Sequence, residues 1–585
     1  MMRTRILAVG AVALAATGAH AQFDGPAPLA WRFFQPTQVP PSGSPLVEGD
    51  TVYISVGGRV FAMDKSTGNL KWRYPQLDPI AGTFRTAPVL AGGILIAVGD
   101  NKIVYGIDPI TGENKWTSNT PSFPLGQPVI VADKYVAIGQ SNNSVALLSA
   151  TDGQPVWTAP FKVDGLVGSI GASGSNVLVF DSAQNLISVS ASNPNKPDWK
   201  RAFQQLPPTA RPVVSGGSIY VYSGPFLVAL DAASGLPKWQ VPTGFPPVFS
   251  PAVGADGIGV VSADGKLMAY DLSHQPLMKE PLDLGSGPVA SPIVVGSYVQ
   301  QMTSPTGATS SRTVPLFVVP TSNGALNLVN PATGVKWSFI VRPLDTEPPS
   351  STSNNGRGPG GSGGPGGAGG PGGPGGGGFG GGFGGGGQGG GFGGQGGKGG
   401  GGQNQNQNQT PPNYVQASGT PVLAGKTLLV PAKDGSLLAF DSELGVDLTP
   451  PEVAMRFPNS GDQVSGQPPL LLVFTIDDEA SGIDPATLKV TIDGAEVKHT
   501  IEKDGRIFVR FGGSSTNTPL ANGRRKIVVD VKDWMGNEKI ATYALTIDNA
   551  LPPVTLPGAT NPNNQNGGPG GKGGNGGGGG GAGGD

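Results

Sequence analysis

The chain has 585 residues, among them 98 Gly, 57 Pro and no Cys, and its formal net charge at pH 7 is −2. This length allows more than one domain with a large core. The lack of Cys excludes disulfides, thiolate metal sites, Cys nucleophiles and acylated lipoprotein anchors. The near-neutral charge provides no general attraction to nucleic acid or anionic lipid.

The first 21 residues have the pattern of an export signal. Two Arg stand near the start, a short apolar run covers 6–16, and an Ala-His-Ala motif precedes Gln22. The apolar run is too short to span a bilayer. We therefore predict a signal peptide at 1–21, no transmembrane segment, and a mature protein that is periplasmic, extracellular or associated with the cell surface.

From residue 29 onwards one motif recurs: an alternating apolar run, then Asp, Thr-Gly and Trp. The clearest copies are 62–72 and 229–239. A period of about 40 residues indicates stacked supersecondary units, and four short strands with intervening turns fit each unit. The residues that mark the repeat are Trp31, Trp72, Trp116, Trp157, Trp199, Trp239 and Trp337, together with Asp64, Asp108, Asp231, Asp271 and Asp441.

These repeats predict an eight-bladed β-propeller over residues 22–447. Trp31 belongs to an outer strand that has no strands before it, whereas the motif at Asp441 has no Trp after it. Pairing residues 29–34 with the last blade would complete its sheet and remove the exposed edges. The sequence therefore predicts that the N-terminal strand closes the propeller.

Three further segments differ from the repeats. Residues 351–410 and 550–585 are Gly-rich, and burial cannot offset the entropy of ordering them. We expect both to be disordered, the first as an insertion within the propeller. Residues 448–549 contain short strand patterns separated by Gly turns, which predict a β-sandwich, and Trp534 is expected to serve this second domain alone.

The repeat resembles that of the pyrroloquinoline quinone (PQQ) dehydrogenases and of their non-enzymatic relatives, the outer-membrane assembly lipoprotein propellers. The motifs at 62–72 and 229–239 carry the resemblance, which covers residues 29–447. It implies eight blades, with each Trp docked between neighbours. The stretches 457–461, 477–484 and 531–537 resemble bacterial extracellular Ig-like modules, which implies an Ig-like sandwich of the kind used as a spacer or adhesive element.

Catalytic groups are scarce in this sequence. The PQQ enzymes hold their quinone over a metal ion, with an Asp base and two adjacent Cys, and this chain has no Cys. The repeated Asp residues occupy equivalent positions, so they do not converge on one substrate, and turn capping accounts for them. One of the three His lies in the predicted signal, and the others lie in different predicted domains, which argues against a His triad or a zinc site.

One acidic group is a candidate Ca²⁺ site, because its side chains offer oxygen ligands. Its members are Asp477, Asp478, Glu479 and Asp484, which Asp533 and Asn537 on another loop could join. The alternative is a solvated acidic loop.

The function expected from these features is that of an exported, non-catalytic scaffold. It would bind protein partners of the envelope or the extracellular space, without nucleic acid and without a required cofactor. Two alternatives stay open: a PQQ-dependent dehydrogenase, and an adhesion or surface-layer component.

Overall fold

The computed structural model describes residues 22–205, 207, 210–303, 309–344, 414–502, 505–512 and 517–553. Regular structure in these ranges consists of strands, β1 to β41. They contain no helix that is long and apolar enough to cross a membrane. The predicted signal peptide, the insertion at 351–410 and most of the tail at 550–585 lie outside the described residues.

Seven four-stranded antiparallel sheets, each made of consecutive strands, follow the first strand, β1 (Leu29–Phe34). Sheet 1 contains β2 (Leu46–Glu48), β3 (Thr51–Val56), β4 (Arg59–Asp64) and β5 (Leu70–Tyr74). Sheet 2 contains β6 (Val89–Ala91), β7 (Ile94–Val98), β8 (Ile103–Ile107) and β9 (Asn114–Asn119). Sheet 3 contains β10 (Pro124–Val131), β11 (Tyr135–Gln140), β12 (Ser144–Ser149) and β13 (Phe161–Lys162).

The same pattern continues through the middle of the chain. Sheet 4 contains β14 (Val167–Ser173), β15 (Asn176–Asp181), β16 (Asn185–Ser190) and β17 (Trp199–Ala202). Sheet 5 contains β18 (Val213–Ser215), β19 (Ser218–Ser223), β20 (Phe226–Asp231) and β21 (Pro237–Pro242). Sheet 6 contains β22 (Pro247–Val253), β23 (Ile258–Ser262), β24 (Lys266–Tyr270) and β25 (Leu282–Asp283). Sheet 7 contains β26 (Ile293–Thr303), β27 (Thr309–Pro320), β28 (Ala325–Asn330) and β29 (Gly334–Ile340).

Sheet 8 joins the two ends of this series. Its first three strands are β30 (Val422–Ala424), β31 (Thr427–Pro431) and β32 (Ser436–Phe440), and its fourth is β1. Trp31 pairs with Ala439 and Phe33 with Leu437, antiparallel. The predicted closure by the N-terminal strand is therefore confirmed.

Every pair of neighbouring sheets shares a hydrophobic cluster, because alternate side chains of each strand face the next sheet. In order from the junction of sheets 1 and 2, fully buried members are Ala62 and Leu95, Val104 and Val136, Val145 and Val177, Leu186 and Ile219, Leu227 and Ile258, Leu267 and Phe317, and Leu328 and Val430. An eighth cluster, with Leu437 and Val52, joins sheet 8 back to sheet 1. The eight sheets of the described residues thus form a closed propeller.

Residues after 450 form two sheets around a separate core. One contains β33 (Glu452–Phe457), β35 (Leu470–Asp477), β38 (Thr500–Ile501) and β39 (Arg506–Phe511); the other contains β34 (Gln463–Val464), β36 (Ile483–Ile492), β37 (Ala495–Glu496), β40 (Gly523–Asp533) and β41 (Glu538–Ile547). Alternate residues of β35 are buried, Phe474 among them, and they pack with Val529 of β40. This is a β-sandwich, and its Ig-like assignment stays a prediction.

Candidate functional site

The repeat tryptophans dock on the turn of the following sheet. In four of them, which lie on an outer strand or, for Trp157, shortly before it, the indole N–H donates to a backbone carbonyl at the turn between the third and fourth strands of the following sheet. The distances from Nε1 to O are 2.9 Å for Trp31 and Lys65, 3.1 Å for Trp72 and Pro109, 3.1 Å for Trp116 and Ala150, and 2.8 Å for Trp157 and Ala191. Each of these four pairs of neighbouring sheets is therefore joined by one indole hydrogen bond and by the packing of the same indole ring.

The Gly of the repeat is required by the same contact. Gly68 and Gly112 have φ near 70°, a region that costs other residues conformational energy. A Cβ on Gly68 would lie 2.6 Å from the Trp31 ring, and one on Gly112 would lie 2.6 Å from Trp72. Both the backbone conformation and the close approach of the ring explain why Gly stands at this position of the repeat.

The repeat carboxylates cap these turns. Asp108 Oδ1 accepts from the backbone N–H of Ile110 and Thr111, at 2.9 and 3.0 Å. The same oxygen of Asp64 accepts from Ser66 and Thr67, that of Asp231 from Ser234, that of Asp271 from Gln275, and that of Asp441 from Glu443 and Leu444. Each carboxylate is thus engaged within its own sheet.

Capping makes two of these turns sensitive to acid. Hydrogen bonds from Ser66 and Thr67 lower the pKa of Asp64 to about 2, and those from Thr111 and Lys115 lower the pKa of Asp108 to about 2. An unfolded Asp titrates near 3.9. The stabilisation is therefore present above about pH 4 and is lost as the pH falls through 2.

We expect the melting temperature of the double variant Asp64→Asn, Asp108→Asn to vary less between pH 4 and pH 2 than that of the parent. Asn keeps an oxygen acceptor but carries no charge to titrate. Asp78→Asn, at an exposed position outside the repeat turns, is the control and should leave the pH profile unchanged. Calorimetric scans across this range provide the measurement, and parallel profiles for parent and double variant would contradict the assignment.

The docking pattern changes around sheets 4 to 6. Trp199 packs on Gly235, but its Nε1 has no hydrogen-bond partner among the described residues. Trp239 stacks 5.4 Å from His274. The sixth copy lacks a Trp, and buried Leu277 belongs to the cluster at that junction.

At sheet 7 the docking partner comes from the sandwich instead of the next sheet. Trp337 is fully buried, and its Nε1 donates to the carbonyl of Ser481, at 3.2 Å. Leu29, at the start of β1, donates its N–H to Ala480 of the same loop. The loop that follows β35 therefore occupies the place that a repeat turn fills elsewhere.

Further contacts extend this junction between the propeller and the sandwich. Arg342 Nε lies 2.8 Å from Asp477 Oδ1, with both side chains largely buried. Trp534 Nε1 donates to Ser338 O at 3.1 Å, and the ring packs on the cluster shared by sheets 7 and 8. The expectation that Trp534 serves the second domain alone is wrong, because the turn after β40 projects this side chain onto the propeller.

Three carboxylates meet at the same junction. One oxygen each from Asp447, Asp478 and Asp533 lie within 4.8 Å of one another, and all three residues are buried. Of the residues named from the sequence, this cluster contains Asp478 and Asp533, and it adds Asp447, which the sequence did not indicate. Asp477 pairs with Arg342, Glu479 is exposed, and Asp484 caps its own turn through Ala486. Burial, and then the charge of Asp447, raise the pKa of Asp478.

A cavity of about 570 Å³ lies between the inner strands of the propeller. It is lined by the starts of these strands, including Ser44, Ala87, Ser250 and Ser291. Arg211 is the charged residue of this lining, and partial desolvation lowers the pKa of its guanidinium. The described lining contains no Asp, Glu or His, so it offers no general base.

Exposed apolar side chains recur around the turns between third and fourth strands, either in the turn itself or at the start of the fourth strand, and in sheet 8 after the end of its third strand. Because all sheets of a propeller run in the same sense, these turns open on one face. The residues, with the exposed fraction of each, are Leu236 (55%), Leu272 (44%), Val335 (44%), Leu444 (47%), Leu70 (49%) and Ile110 (85%). They lie on sheets 5, 6, 7, 8, 1 and 2, which are consecutive around the closed propeller, and we refer to them as the apolar arc.

A family model described as outer membrane protein assembly factor BamB matches residues 27–223 and 188–339, together more than half of the chain. The chain belongs to this family. The BamB of Burkholderia pseudomallei (strain K96243) is 26% identical over 235 residues, which are 37% of this chain and 60% of that protein. The crystal structure of BamB from Moraxella catarrhalis aligns with a TM-score of 0.45 at 12% identity, over 71% of this chain and 99% of that one.

Another relative carries the name of a dehydrogenase. The putative dehydrogenase XoxF of Paracoccus denitrificans is 33% identical over 153 residues, which are 22% of this chain and 25% of that protein. The chain thus spans a quarter of the length of XoxF and three fifths of that of the Burkholderia BamB. The similarity of the BamB-family propeller to a dehydrogenase therefore concerns a limited part of both chains.

Proposed function

We propose that this chain is an exported, non-catalytic propeller that binds a protein partner of the cell envelope or surface. The observation that carries the proposal is the apolar arc. Six consecutive sheets each expose at least one large apolar side chain where the third strand ends or the fourth begins, whereas the corresponding turns of sheets 3 and 4 have none among the exposed large apolar residues described. Exposed apolar patches mark sites that bind other proteins, and the restriction of these side chains to six consecutive sheets supports a contact on this face.

The chemistry of the remaining surfaces supports a binding role. The repeat carboxylates accept backbone hydrogen bonds within their own turns. The described lining of the cavity between the inner strands contains one cationic side chain, that of Arg211, and no Asp, Glu or His. Neither arrangement places a nucleophile beside a base, which acyl transfer and general acid–base catalysis require. The N-terminal pattern supports export, and the family description, outer membrane protein assembly factor, supports an envelope location.

The test compares the envelope proteins captured by the parent with those captured by a variant in which two side chains of the apolar arc are replaced. The tagged parent and the double variant Ile110→Ser, Leu236→Ser are incubated with native envelope extract, cross-linked and compared by quantitative mass spectrometry. Losing two apolar contacts of a binding surface should weaken capture of a genuine partner by about 10- to 100-fold. Both residues are exposed, so the fold should be retained.

Leu166→Ser is the matched control. Leu166 is 56% exposed and directly precedes β14, so it lies on the opposite face of the propeller. Capture that depends on the arc should survive this change. Equal capture by all three proteins would exclude the arc as the contact. Dye reduction by the purified parent with PQQ and Ca²⁺ would overturn the non-catalytic proposal.

A further inference from the structure

The buried acidic cluster at the junction is built from three separate segments. Asp447 lies on the connection between β32 and β33, Asp478 directly follows β35, and Asp533 ends β40. Their exposed fractions are 7%, 8% and 2%. Three carboxylates at this depth repel one another unless a cation or bound protons reduce their negative charge.

Local hydrogen bonds orient the three carboxylates, Asp478 and Asp447 through Oδ1 and Asp533 through both oxygens, since Asp533 Oδ2 accepts from Asn537 Nδ2 at 2.7 Å. Asp478 Oδ1 accepts from the backbone N–H of Ser481 and Gly482, both at 2.8 Å. Asp533 Oδ1 accepts from the backbone N–H of Asn537, at 2.8 Å. Asp447 Oδ1 accepts from Thr449, at 3.0 Å. These bonds fix the orientation of all three carboxylates.

One oxygen of the cluster has no partner. Asp447 Oδ2 is buried and makes no hydrogen bond within the described part of the chain. No described Lys or Arg forms an ion pair with any of the three, and the neighbouring Arg342 is paired with Asp477. An unpartnered carboxylate oxygen in a residue that is more than nine-tenths buried calls for a partner such as a bound ion or an ordered water.

We propose that Asp447, Asp478 and Asp533 bind one Ca²⁺ ion that fixes the sandwich to the propeller. Ca²⁺ takes oxygen ligands at about 2.3–2.6 Å, so its ligands lie up to about 5 Å apart, which agrees with a cluster within 4.8 Å. An all-oxygen set disfavours Zn²⁺. Mg²⁺ usually takes one or two carboxylates and keeps several waters, whereas this cluster offers three buried ones.

The ion would act on the contacts that hold the junction together. The loop that begins at Asp478 supplies the carbonyls that receive Trp337 and Leu29, and Asp533 precedes Trp534, which donates to the propeller. Binding would thus stabilise the positions of both loops at once. The proposal is independent of the apolar arc, which lies on other residues.

Full-length protein treated with EDTA and then dialysed is titrated with CaCl₂ by calorimetry, and with TbCl₃ while luminescence sensitised by Trp534 is recorded. We expect one site for each chain and a melting temperature several degrees higher with Ca²⁺, since a ligand of the native state stabilises it. MgCl₂ should bind more weakly. Absence of Ca²⁺ binding to the parent would overturn the proposal by itself.

Variants distinguish this cluster from the other acids of the same loops. Asp447→Asn retains an acceptor for Thr449 and should weaken Ca²⁺ binding by about 10- to 100-fold or more, the loss typical of an altered metal site. Glu479→Gln, at an exposed position beside Asp478, should bind as the parent does. Unchanged binding by Asp447→Asn would overturn the proposal. A second outcome would also overturn the proposal: Asp447→Asn melts at a higher temperature than the parent in EDTA, and neither protein binds Ca²⁺. Shared protons, and not a bound cation, would then neutralise the three carboxylates.

Discussion

Replacing Trp337 with Ala should cause the largest loss of stability of any single tryptophan truncation. Trp337 is fully buried and lies within 5.4–6.1 Å, between ring centroids, of Phe23, Phe339 and Phe440. Truncation of a buried Trp costs about 3–5 kcal/mol, and the Ser481 carbonyl would also lose its donor. Since a native domain is often stable by only about 5–15 kcal/mol, we expect a large fall in the unfolding midpoint.

The matched control for this variant is Trp239→Ala. Trp239 has the corresponding place on sheet 5, but it is only half-buried and packs against Tyr220 and His274. Its truncation should lower the denaturant midpoint less. Limited proteolysis should also release the sandwich faster from the Trp337 variant alone, because that ring binds the loop after β35. Equal midpoints and equal release would show that the junction does not depend on Trp337.

Trp31→Ala should destabilise the closed propeller as a whole. The side chain lies on β1, donates to Lys65 of sheet 1 and packs on Gly68, so it connects sheet 8 to sheet 1. It is half-buried, so we expect a cost of about 2–3 kcal/mol, below the range for a fully buried Trp. Thermal unfolding monitored by circular dichroism would record the shift.

Trp31→Phe separates the two parts of this contact. A Phe ring keeps most of the packing on Gly68 but has no N–H for Lys65, so the variant should lose only about 0.5–1.5 kcal/mol, as for one hydrogen bond. If Trp31→Ala unfolds at the temperature of the parent, closure through β1 does not limit the stability of the propeller, although the register of β1 and β32 joins the two ends of the chain.

At the junction, residues of the sandwich cover part of the hydrophobic core of the propeller. Phe23 packs against Trp337, and its N–H donates to Val295 O at 2.7 Å. Together with Ser481 and Trp534, this residue covers the cluster shared by sheets 7 and 8. The chain segments before and after the repeats therefore stabilise the same junction, even though they are separated by the whole propeller.

The repeat architecture could be predicted from the sequence because its determinants are local or periodic. An Asp that caps a backbone N–H two or three residues later needs no information from elsewhere in the chain. A Trp that docks on the following sheet appears again with each repeat, so the period reveals both. The closing strand was predictable for a related reason: Trp31 had an outer-strand motif without a sheet, and Asp441 had a sheet without an outer strand.

The junction and its acidic cluster were decided by the tertiary structure. Trp337 and Ser481 are 144 residues apart, and Trp534 and Ser338 are 196 residues apart. These contacts occur once and follow no period. Asp447, which stands outside the acidic loop, meets Asp478 and Asp533 only because the sandwich packs beside sheets 7 and 8. Residue type identifies Asp478 and Asp533 as candidate ligands, but the addition of Asp447 depends on how two separately folded cores pack together.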